Sequence, residues 1–190
     1  MNHYKILVAS LIFTEKAMLE RSGMGITPAT RRWLLGFVDG IKSNENEAYL
    51  MGHEIASFYP KGHIFPGCKN DLMFKDNSHI VRYFNFWPIR WMSLRYSYKN
   101  NFNKVKKKWG EFKYVVSYNA WPNQISLGKY IKNRHPGTKW ILIILDHDDP
   151  NDNFNSFIDK TIGVDYYIFL SKWAYENVPV NNKYLLEGGV

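Results

Sequence analysis

Continuous apolar runs alternate with amphipathic stretches along most of the chain. The runs are short and rich in β-branched and aromatic residues, which predicts strands buried on both faces of a sheet. They span 5–13, 53–60, 80–87, 114–119, 139–145, 165–171 and 183–189. Strands that alternate with helices favour short right-handed crossovers. The chain is therefore expected to be an α/β protein with a doubly wound, Rossmann-like, mostly parallel sheet flanked by helices.

The first amphipathic stretch predicts a long helix that begins at Pro28. Apolar residues recur at helical spacing over 34–41, and proline suits a first helical position because its missing N–H would have no partner there. The helix is expected to bend or extend through 42–47, to resume over 48–51 and to end at Gly52, since glycine is a common C-terminal stop.

A second amphipathic stretch, 98–109, combines an aromatic stripe with a lysine-rich face and precedes Gly110, where it is expected to end. Lysines occupy positions 104 and 106–108. Such a face is most often simply solvated. Lysines opposite an aromatic stripe are also typical of a contact with an anionic membrane surface, so that interpretation stays open.

Composition narrows the class of protein. With 190 residues, 45% of them hydrophobic, the chain can bury the core of one domain spanning 1–190. The formal net charge of +8 favours an anionic partner: a phosphate-bearing ligand, an acidic lipid surface or nucleic acid. The single cysteine, Cys68, excludes an internal disulfide framework. A lone cysteine suits the reducing cytoplasm. No apolar run approaches the length of a membrane span, so we expect a soluble cytoplasmic protein, at most peripheral to the inner face of the membrane.

Polar residues and glycines follow several predicted strands, at the edge where a doubly wound sheet binds ligands. Gly23 and Gly25 precede the first helix, where backbone N–H groups and the helix dipole can hold a phosphate. After the fourth strand, Asn119 and Asn123 could fix hydroxyls, and Trp121 could stack on a sugar or base. Ordinary turns are an equally good interpretation of both segments.

The fifth strand ends in the sequence LDHDDP. His147 can donate or accept a hydrogen bond near neutral pH, and the neighbouring carboxylates would raise its pKa. Asp148 or Asp149 can instead cap a helix that begins at Pro150. Position at a strand end favours a functional role for His147 and capping for the aspartates. Alternatively, Asp146 and Asp148 hold a divalent cation, although residues i and i+2 of an intact strand point to opposite faces.

Taken in order, these segments resemble the N-terminal domain of a GT-B fold glycosyltransferase of the family 4-like type. The resemblance is carried by the stretches KILVAS, GMGITPATRRWLLGF, YLMGHEIASFYP, YVVSYNAWPN, WILIILDHDDP, VDYYIFLSKWAYENV and KYLLEGGV. It implies the N-terminal half of a GT-B fold. It also implies transfer of a sugar from a nucleotide-linked donor to a glycan or lipid-linked acceptor, with neither a metal nor another cofactor.

The resemblance also assigns roles to residues. It implies that Gly23 and Gly25 approach the donor phosphate and that His147 is the catalytic residue near the transferred sugar. The acceptor side is expected to include Asn119, Trp121, Asn123 and Asp148.

The donor-binding second domain of such an enzyme would follow residue 190. We therefore expect one domain of a longer enzyme, or a split enzyme whose partner chain supplies the donor site, with little activity on its own. Two alternatives remain: a metal-dependent GT-A type transferase that uses Asp146 and Asp148, and a basic module that binds a membrane or nucleic acid. The sequence lacks an RNA-binding signature, and its basic residues are scattered outside 104–108, so no nucleic-acid partner is expected.

Overall fold

A computed structural model of the protein describes residues 3–11, 28–66, 77–145 and 154–186. Strands and helices alternate through these ranges. The strands are β1 Lys5–Leu11, β2 Glu47–His53, β3 Ser78–Ile80, β4 Tyr114–Tyr118, β5 Lys139–Ile144, β6 Tyr166–Phe169 and β7 Lys183–Leu185. The helices are α1 Pro28–Ser43, α2 Arg90–Trp109, α3 Pro122–Arg134, α4 Phe154–Thr161 and α5 Lys172–Asn177.

The described strands form one sheet in the order β3-β2-β1-β4-β5-β6-β7. Every neighbouring pair is parallel, which confirms the predicted doubly wound architecture. From β1 the chain first builds outward to β2 and β3, and then crosses back to place β4 on the other side of β1. At this reversal, the connections that follow β1 and β4 leave the sheet in opposite directions, which opens a crevice at the carboxyl ends of these two strands. Sheets of this type bind ligands there.

Alternating side chains of the strands pack on opposite faces of the sheet. On one face, Leu34 and Val38 of α1 pack with Val8 and Leu50. On the other face, α2 and α3 cover the odd-numbered residues of β1, β2 and β4, among them Leu7. Both faces of the central strands are buried, which explains why those strands appear in the sequence as continuous apolar runs.

The start of β2 corrects the predicted course of the chain after α1. The helix ends at Ser43, and Glu45 has a positive φ of 61° that turns the chain back. Residues 48–51 were expected to resume the helix, but they lie in β2, paired with β1. A four-residue apolar run fits a helix and a buried strand equally well. These residues form a strand because they pair with β1 on one side and β3 on the other. The expected strand at 53–60 is absent: beyond His53 those residues are irregular.

The third strand is also shorter than predicted. It covers Ser78–Ile80, and the rest of the expected strand 80–87 leaves the sheet. Its backbone donors find other partners: the Phe84 N–H donates to Ser93 Oγ at 2.8 Å, and the Asn85 N–H donates to the Ile64 carbonyl at 2.8 Å. Aromatic and β-branched residues here predicted a strand, but the segment serves as a connection to α2.

The lysine-rich helix is confirmed and is longer than its stripe indicated. α2 starts at Arg90, and Gly110, with a φ of 89°, follows its last residue. Tyr98, Phe102 and Val105 are buried, as the spacing predicted. None of the described helices is long and apolar enough to cross a membrane.

Candidate functional site

A crevice of about 230 Å³ lies at the carboxyl edge of the sheet, beside the point where the strand order reverses. The ends of β1 and β2 form its floor, and the first turns of α2 and α3 form its walls. Its lining residues are Leu11, His53, Ile55, Arg90, Trp91, Trp121, Pro122 and Asn123. It therefore combines apolar and indole surfaces with three polar side chains, a composition typical of small-molecule sites.

Beneath the crevice, the buried Tyr98 hydroxyl joins three elements. It donates to the Ser10 carbonyl of β1 at 3.0 Å and lies 2.7 Å from His53 Nδ1 of β2. Gln124 Nε2 of α3 donates to it at 3.4 Å. A phenol has one proton, and a carbonyl can only accept, so the Tyr98 proton is committed to Ser10. His53 Nδ1 must then be the donor to Tyr98, which leaves Nε2 as the acceptor of the ring.

Burial and the nearby positive charge of Arg90 lower the pKa of His53 to about 3. The imidazole is therefore neutral at physiological pH, in agreement with the tautomer that its hydrogen bonds require. Burial also raises the pKa of Tyr98, so its hydroxyl stays protonated. An imidazole with so low a pKa is a weak base, but its unprotonated nitrogen can still accept a hydrogen bond. The geometry suits orientation of a hydroxyl better than removal of its proton.

Arg90 is a buried cation at the crevice wall. Its Nη1 donates to the Ala56 carbonyl at 2.9 Å, and its guanidinium lies 4.6 Å from the Phe58 ring centre and 5.1 Å from that of Trp91. The aromatic rings stabilise the charge. Its Nε has no hydrogen-bond partner among the described residues. The same is true of Nδ2 of Asn123, whose side chain lies beside the Tyr98 hydroxyl without good hydrogen-bond geometry.

Unpaired buried donors are expensive. Each lowers stability by roughly 1–3 kcal/mol relative to a paired one, and such groups are few in native proteins. Two of them border one small crevice here, on Arg90 and Asn123. A ligand that presents oxygen acceptors would relieve both.

Of the predicted acceptor residues, the structure brings Trp121 and Asn123 together in the crevice. Trp121 is the residue immediately before α3, and Asn123 is buried in its first turn. Asn119 directly follows β4 with a φ of 67°, a left-handed conformation that asparagine tolerates. Its Oδ1 accepts from the Ala120 N–H at 3.3 Å, so it shapes the turn that leads to Trp121.

The other predicted site residues lie outside the described ranges. They are Gly23, Gly25, His147 and Asp148, and their roles stay predictions. The possible metal ligand Asp146 lies outside as well. Within the described ranges, no three histidine, cysteine, aspartate or glutamate side chains come together as metal ligands would.

Sequence reasoning missed His53, Arg90 and Tyr98. The tyrosine fell on the apolar stripe of α2 and was expected to be an ordinary core residue. The histidine was placed at the start of a strand, whereas it ends β2. The one signal in the sequence for His53 was its position, together with Glu54, directly after an apolar run. A similar pattern, a histidine among acidic residues after an apolar run, indicated His147.

Comparison with known proteins adds information on the fold. No protein-family model matches the sequence, and no curated protein matches it. The structure of a UDP-N-acetylglucosamine 2-epimerase aligns with 97% of this chain and 48% of its own, at a TM-score of 0.58 and 7% identity. A protein described as a UDP-N-acetylglucosamine 2-epimerase from Listeria monocytogenes aligns with 94% of this chain and 42% of its own, at 0.54 and 11%.

An α-glucosyltransferase in complex with UDP and a 13-mer DNA aligns with 96% of this chain and 40% of its own, at a TM-score of 0.49 and 14% identity. At these identities the likeness concerns the fold alone. The chain spans less than half the length of each of these structures. It has the Rossmann-like fold of one half of the two epimerase structures.

Proposed function

We propose that the protein is the acceptor-side domain of a glycosyltransferase that transfers a sugar from a nucleotide-linked donor to a glycan or lipid-linked acceptor. One observation carries the proposal. At the reversal point of the sheet, a neutral histidine and two donors without partners border a crevice walled by Trp91 and Trp121. Sugar rings offer the complementary groups: hydroxyl donors, oxygen acceptors, and apolar faces that pack on indoles.

The size of the crevice favours a single ring over a whole nucleotide sugar. Sites for drug-sized ligands occupy roughly 300–1,000 Å³, whereas the crevice measures about 230 Å³. Within it, His53 Nε2 would accept from an acceptor hydroxyl, and Asn123 and Arg90 would donate to ring or hydroxyl oxygens. Because the pKa of His53 is about 3, its role would be to position the nucleophilic hydroxyl. Deprotonation would fall to another group, and we propose His147, the predicted catalytic residue, for that role.

The donor would bind on the opposite side of the cleft. Gly23 and Gly25 would approach its phosphate, and a second domain or partner chain would supply the remaining contacts. Two solved structures with the same fold are about twice as long as this chain, which supports a two-domain enzyme. Neither a metal nor another cofactor is required by this proposal.

A second candidate is one half of a UDP-N-acetylglucosamine 2-epimerase. It is favoured by the two epimerase structures, whose TM-scores of 0.58 and 0.54 exceed that of the glucosyltransferase. The two functions differ in what occupies the crevice. A transferase needs a separate acceptor sugar there, whereas an epimerase acts on the nucleotide sugar alone.

Nuclear magnetic resonance of the indole N–H groups can test the proposal. The probes are octyl glycosides of glucose, mannose and N-acetylglucosamine, below their micellar concentrations, with UDP and UDP-N-acetylglucosamine as comparisons. At least one glycoside should shift the Trp91 and Trp121 signals. Asn123→Ala should weaken that binding about five-fold, the value of one hydrogen bond. Asn133→Ala, an exposed asparagine on the same helix, is the control and should bind normally.

Two results would count against the transferase. One is that none of the glycosides shifts the indole signals. The other is that UDP-N-acetylglucosamine occupies the crevice by itself and is converted to UDP-N-acetylmannosamine, which would support the epimerase.

A further inference from the structure

Exposed apolar side chains are concentrated at one corner of the molecule. Ten of the thirteen large exposed hydrophobic residues of the described chain lie in two segments, 58–65 and 86–96. They are Phe58, Tyr59, Ile64, Phe65, Phe86, Trp87, Ile89, Trp91, Met92 and Tyr96. We call them the aromatic ridge. Exposed apolar residues scattered singly need no explanation, but a contiguous set of this size marks an interaction surface.

Hydrogen bonds to the buried Asn85 join the two segments that carry the aromatic ridge. Asn85 Nδ2 donates to the carbonyls of Ser57 at 2.6 Å and His63 at 3.0 Å. Its backbone N–H donates to the Ile64 carbonyl at 2.8 Å, and its carbonyl accepts from the Tyr59 N–H at 3.1 Å. One side chain and its backbone thus satisfy polar groups of both segments. The loops can present apolar side chains outward while these backbone groups keep their partners, as an apolar environment demands.

Ring contacts hold the two segments together as well. The Phe58 and Trp87 ring centres are 5.7 Å apart, and Phe65 lies 5.6 Å from Phe84. Arg90 stacks beneath, 4.6 Å from the Phe58 ring centre. Even so, Trp87 remains 63% exposed and Met92 71% exposed. The aromatic ridge is therefore preformed, and a partner would bind it with little loss of conformational entropy.

The charged side chains of the two described segments that carry the aromatic ridge are all basic. Segments 55–66 and 77–110 contain no aspartate or glutamate. Exposed cations flank the aromatic ridge in sequence: Lys61 lies between Tyr59 and Ile64, and Arg95 lies between Met92 and Tyr96. Arg82 lies in the loop before Phe86, and Lys104 and Lys107 are exposed in later turns of α2. The outer side of α2 accordingly passes from Trp91 and Met92 in its first turn to cations in later turns.

We propose that the aromatic ridge inserts into the interface of an anionic lipid bilayer, with the flanking cations bound to headgroups. Tryptophan, tyrosine and phenylalanine suit the boundary between headgroups and acyl chains, and basic side chains bind acidic lipid surfaces. The aliphatic members favour lipid over nucleic acid, since Ile64, Ile89 and Met92 offer no ring on which a base could stack. The missing acidic residues remove the repulsion that anionic lipids would otherwise meet.

This surface adjoins the crevice. Trp91 belongs to the aromatic ridge and also lines the crevice, and the Arg90 guanidinium is 5.1 Å from its ring centre. Insertion would bring the mouth of the crevice to the level of the headgroups. The acceptor sugar would then be carried by a lipid. This identification of the acceptor rests on the proposed function, but the proposal of membrane binding does not.

Vesicle flotation tests the proposal without any sugar. The chain should float with vesicles of phosphatidylcholine and phosphatidylglycerol (70:30) and much less with phosphatidylcholine alone. Lys61→Gln combined with Arg95→Gln should lower the partition coefficient about five-fold per cation at low salt. Trp87→Ser combined with Met92→Ser should lower it about ten-fold or more, because two inserted side chains are lost. Circular dichroism and thermal melting establish that each variant is folded.

The control is Ile162→Ser combined with Tyr184→Ser, which removes exposed apolar side chains outside the aromatic ridge. It should float like the wild type. The proposal is overturned if the chain floats with neither vesicle or if the control loses binding as much as the ridge variant. It is also overturned if single-stranded DNA or an insoluble polysaccharide, but no vesicle, retains the chain. Asn123→Ala separates the two proposals: it should float normally and yet bind glycosides weakly.

Discussion

Gly128 in the middle of α3 supports the sharpest prediction of stability. A Cβ atom built there would lie 2.0 Å from Cε2 and 2.2 Å from Cζ2 of Trp140, where ordinary contacts measure 3.4–4 Å. The indole is fully buried in β5, and its Nε1 donates to Ser117 Oγ at 3.0 Å. Neither partner can move freely. Gly128→Ala must push α3 away from the sheet and displace the indole from its hydrogen bond.

The expected loss is the balance of one stabilising and two destabilising effects. Alanine in a helix interior is favoured over glycine by about 1 kcal/mol. Overpacking a filled core costs roughly 1–3 kcal/mol, and an unpaired indole N–H adds roughly 1–3 kcal/mol. We expect Gly128→Ala to lower the free energy of unfolding by about 3 kcal/mol. For a chain of this size that corresponds to a fall in Tm of roughly 6–12 °C.

Urea denaturation and calorimetry measure the change, and α1 provides the matched control. Gly40 is also an interior helical glycine, but a Cβ there would have no atom within 4 Å. Gly40→Ala should therefore stabilise the protein by about 0.5–1 kcal/mol. Trp140→Leu should relieve the overlap, so Gly128→Ala should cost less in that background. Equal stability of the two alanine variants would refute the reasoning.

Three further predictions concern hydrogen-bonded polar groups, two of them buried and one partly exposed. The pKa of His53 falls from 6.5 to about 3 on folding, so the unfolded chain binds more protons between these values. Stability should decrease by about 1.4 kcal/mol per pH unit below pH 6.5, and His53→Gln should abolish that slope in urea titrations. For Asp165, burial raises the pKa, but hydrogen bonds from Lys132, the Trp140 N–H and Lys139 lower it overall. The stability that the Asp165 carboxylate contributes is fully present above its pKa in the unfolded chain, near 4, and is lost as the pH falls through its lower pKa in the folded chain. Asp165→Asn should therefore make the free energy of unfolding less dependent on pH in acid. Tyr98→Phe should cost roughly 1–3 kcal/mol by unpairing Ser10 and His53, while Tyr96→Phe, 72% exposed, should change stability little.

The fold was predictable from the sequence because its central strands are buried on both faces. Burial on both faces makes a strand apolar throughout, and such runs stand out against the amphipathic helices. The error at 48–51 shows the limit of this signal. Four apolar residues carry no period, and only their pairing with β1 and β3 makes them a strand. Nothing in the local sequence encodes that pairing.

The residues of the candidate site could be predicted from the sequence only where they lie close together in one segment. Trp121 and Asn123 follow a strand closely in sequence, so a rule about strand ends was enough to find them. His53, Arg90 and Tyr98 come from separate segments and meet through tertiary packing. Their types gave little warning, since a tyrosine on an apolar stripe is normally core. The Tyr98 hydroxyl became informative only when its three partners were known.

The contact between Gly128 and Trp140 also links the stability of the fold to the geometry of the crevice. Asn123 and Trp121 stand at the start of α3, and Gly128 lies further along the same helix. Because Gly128 lets α3 approach β5 closely, it sets the distance between the sheet and the start of α3, which forms one wall of the crevice. A bulkier residue would shift Asn123 away from Tyr98 and His53. Gly128→Ala, assayed at a temperature where it remains folded, should therefore weaken glycoside binding in the crevice, and Gly40→Ala should not. Normal binding by a destabilised Gly128→Ala variant would mean that the strain is absorbed by Trp140 and never reaches the start of α3.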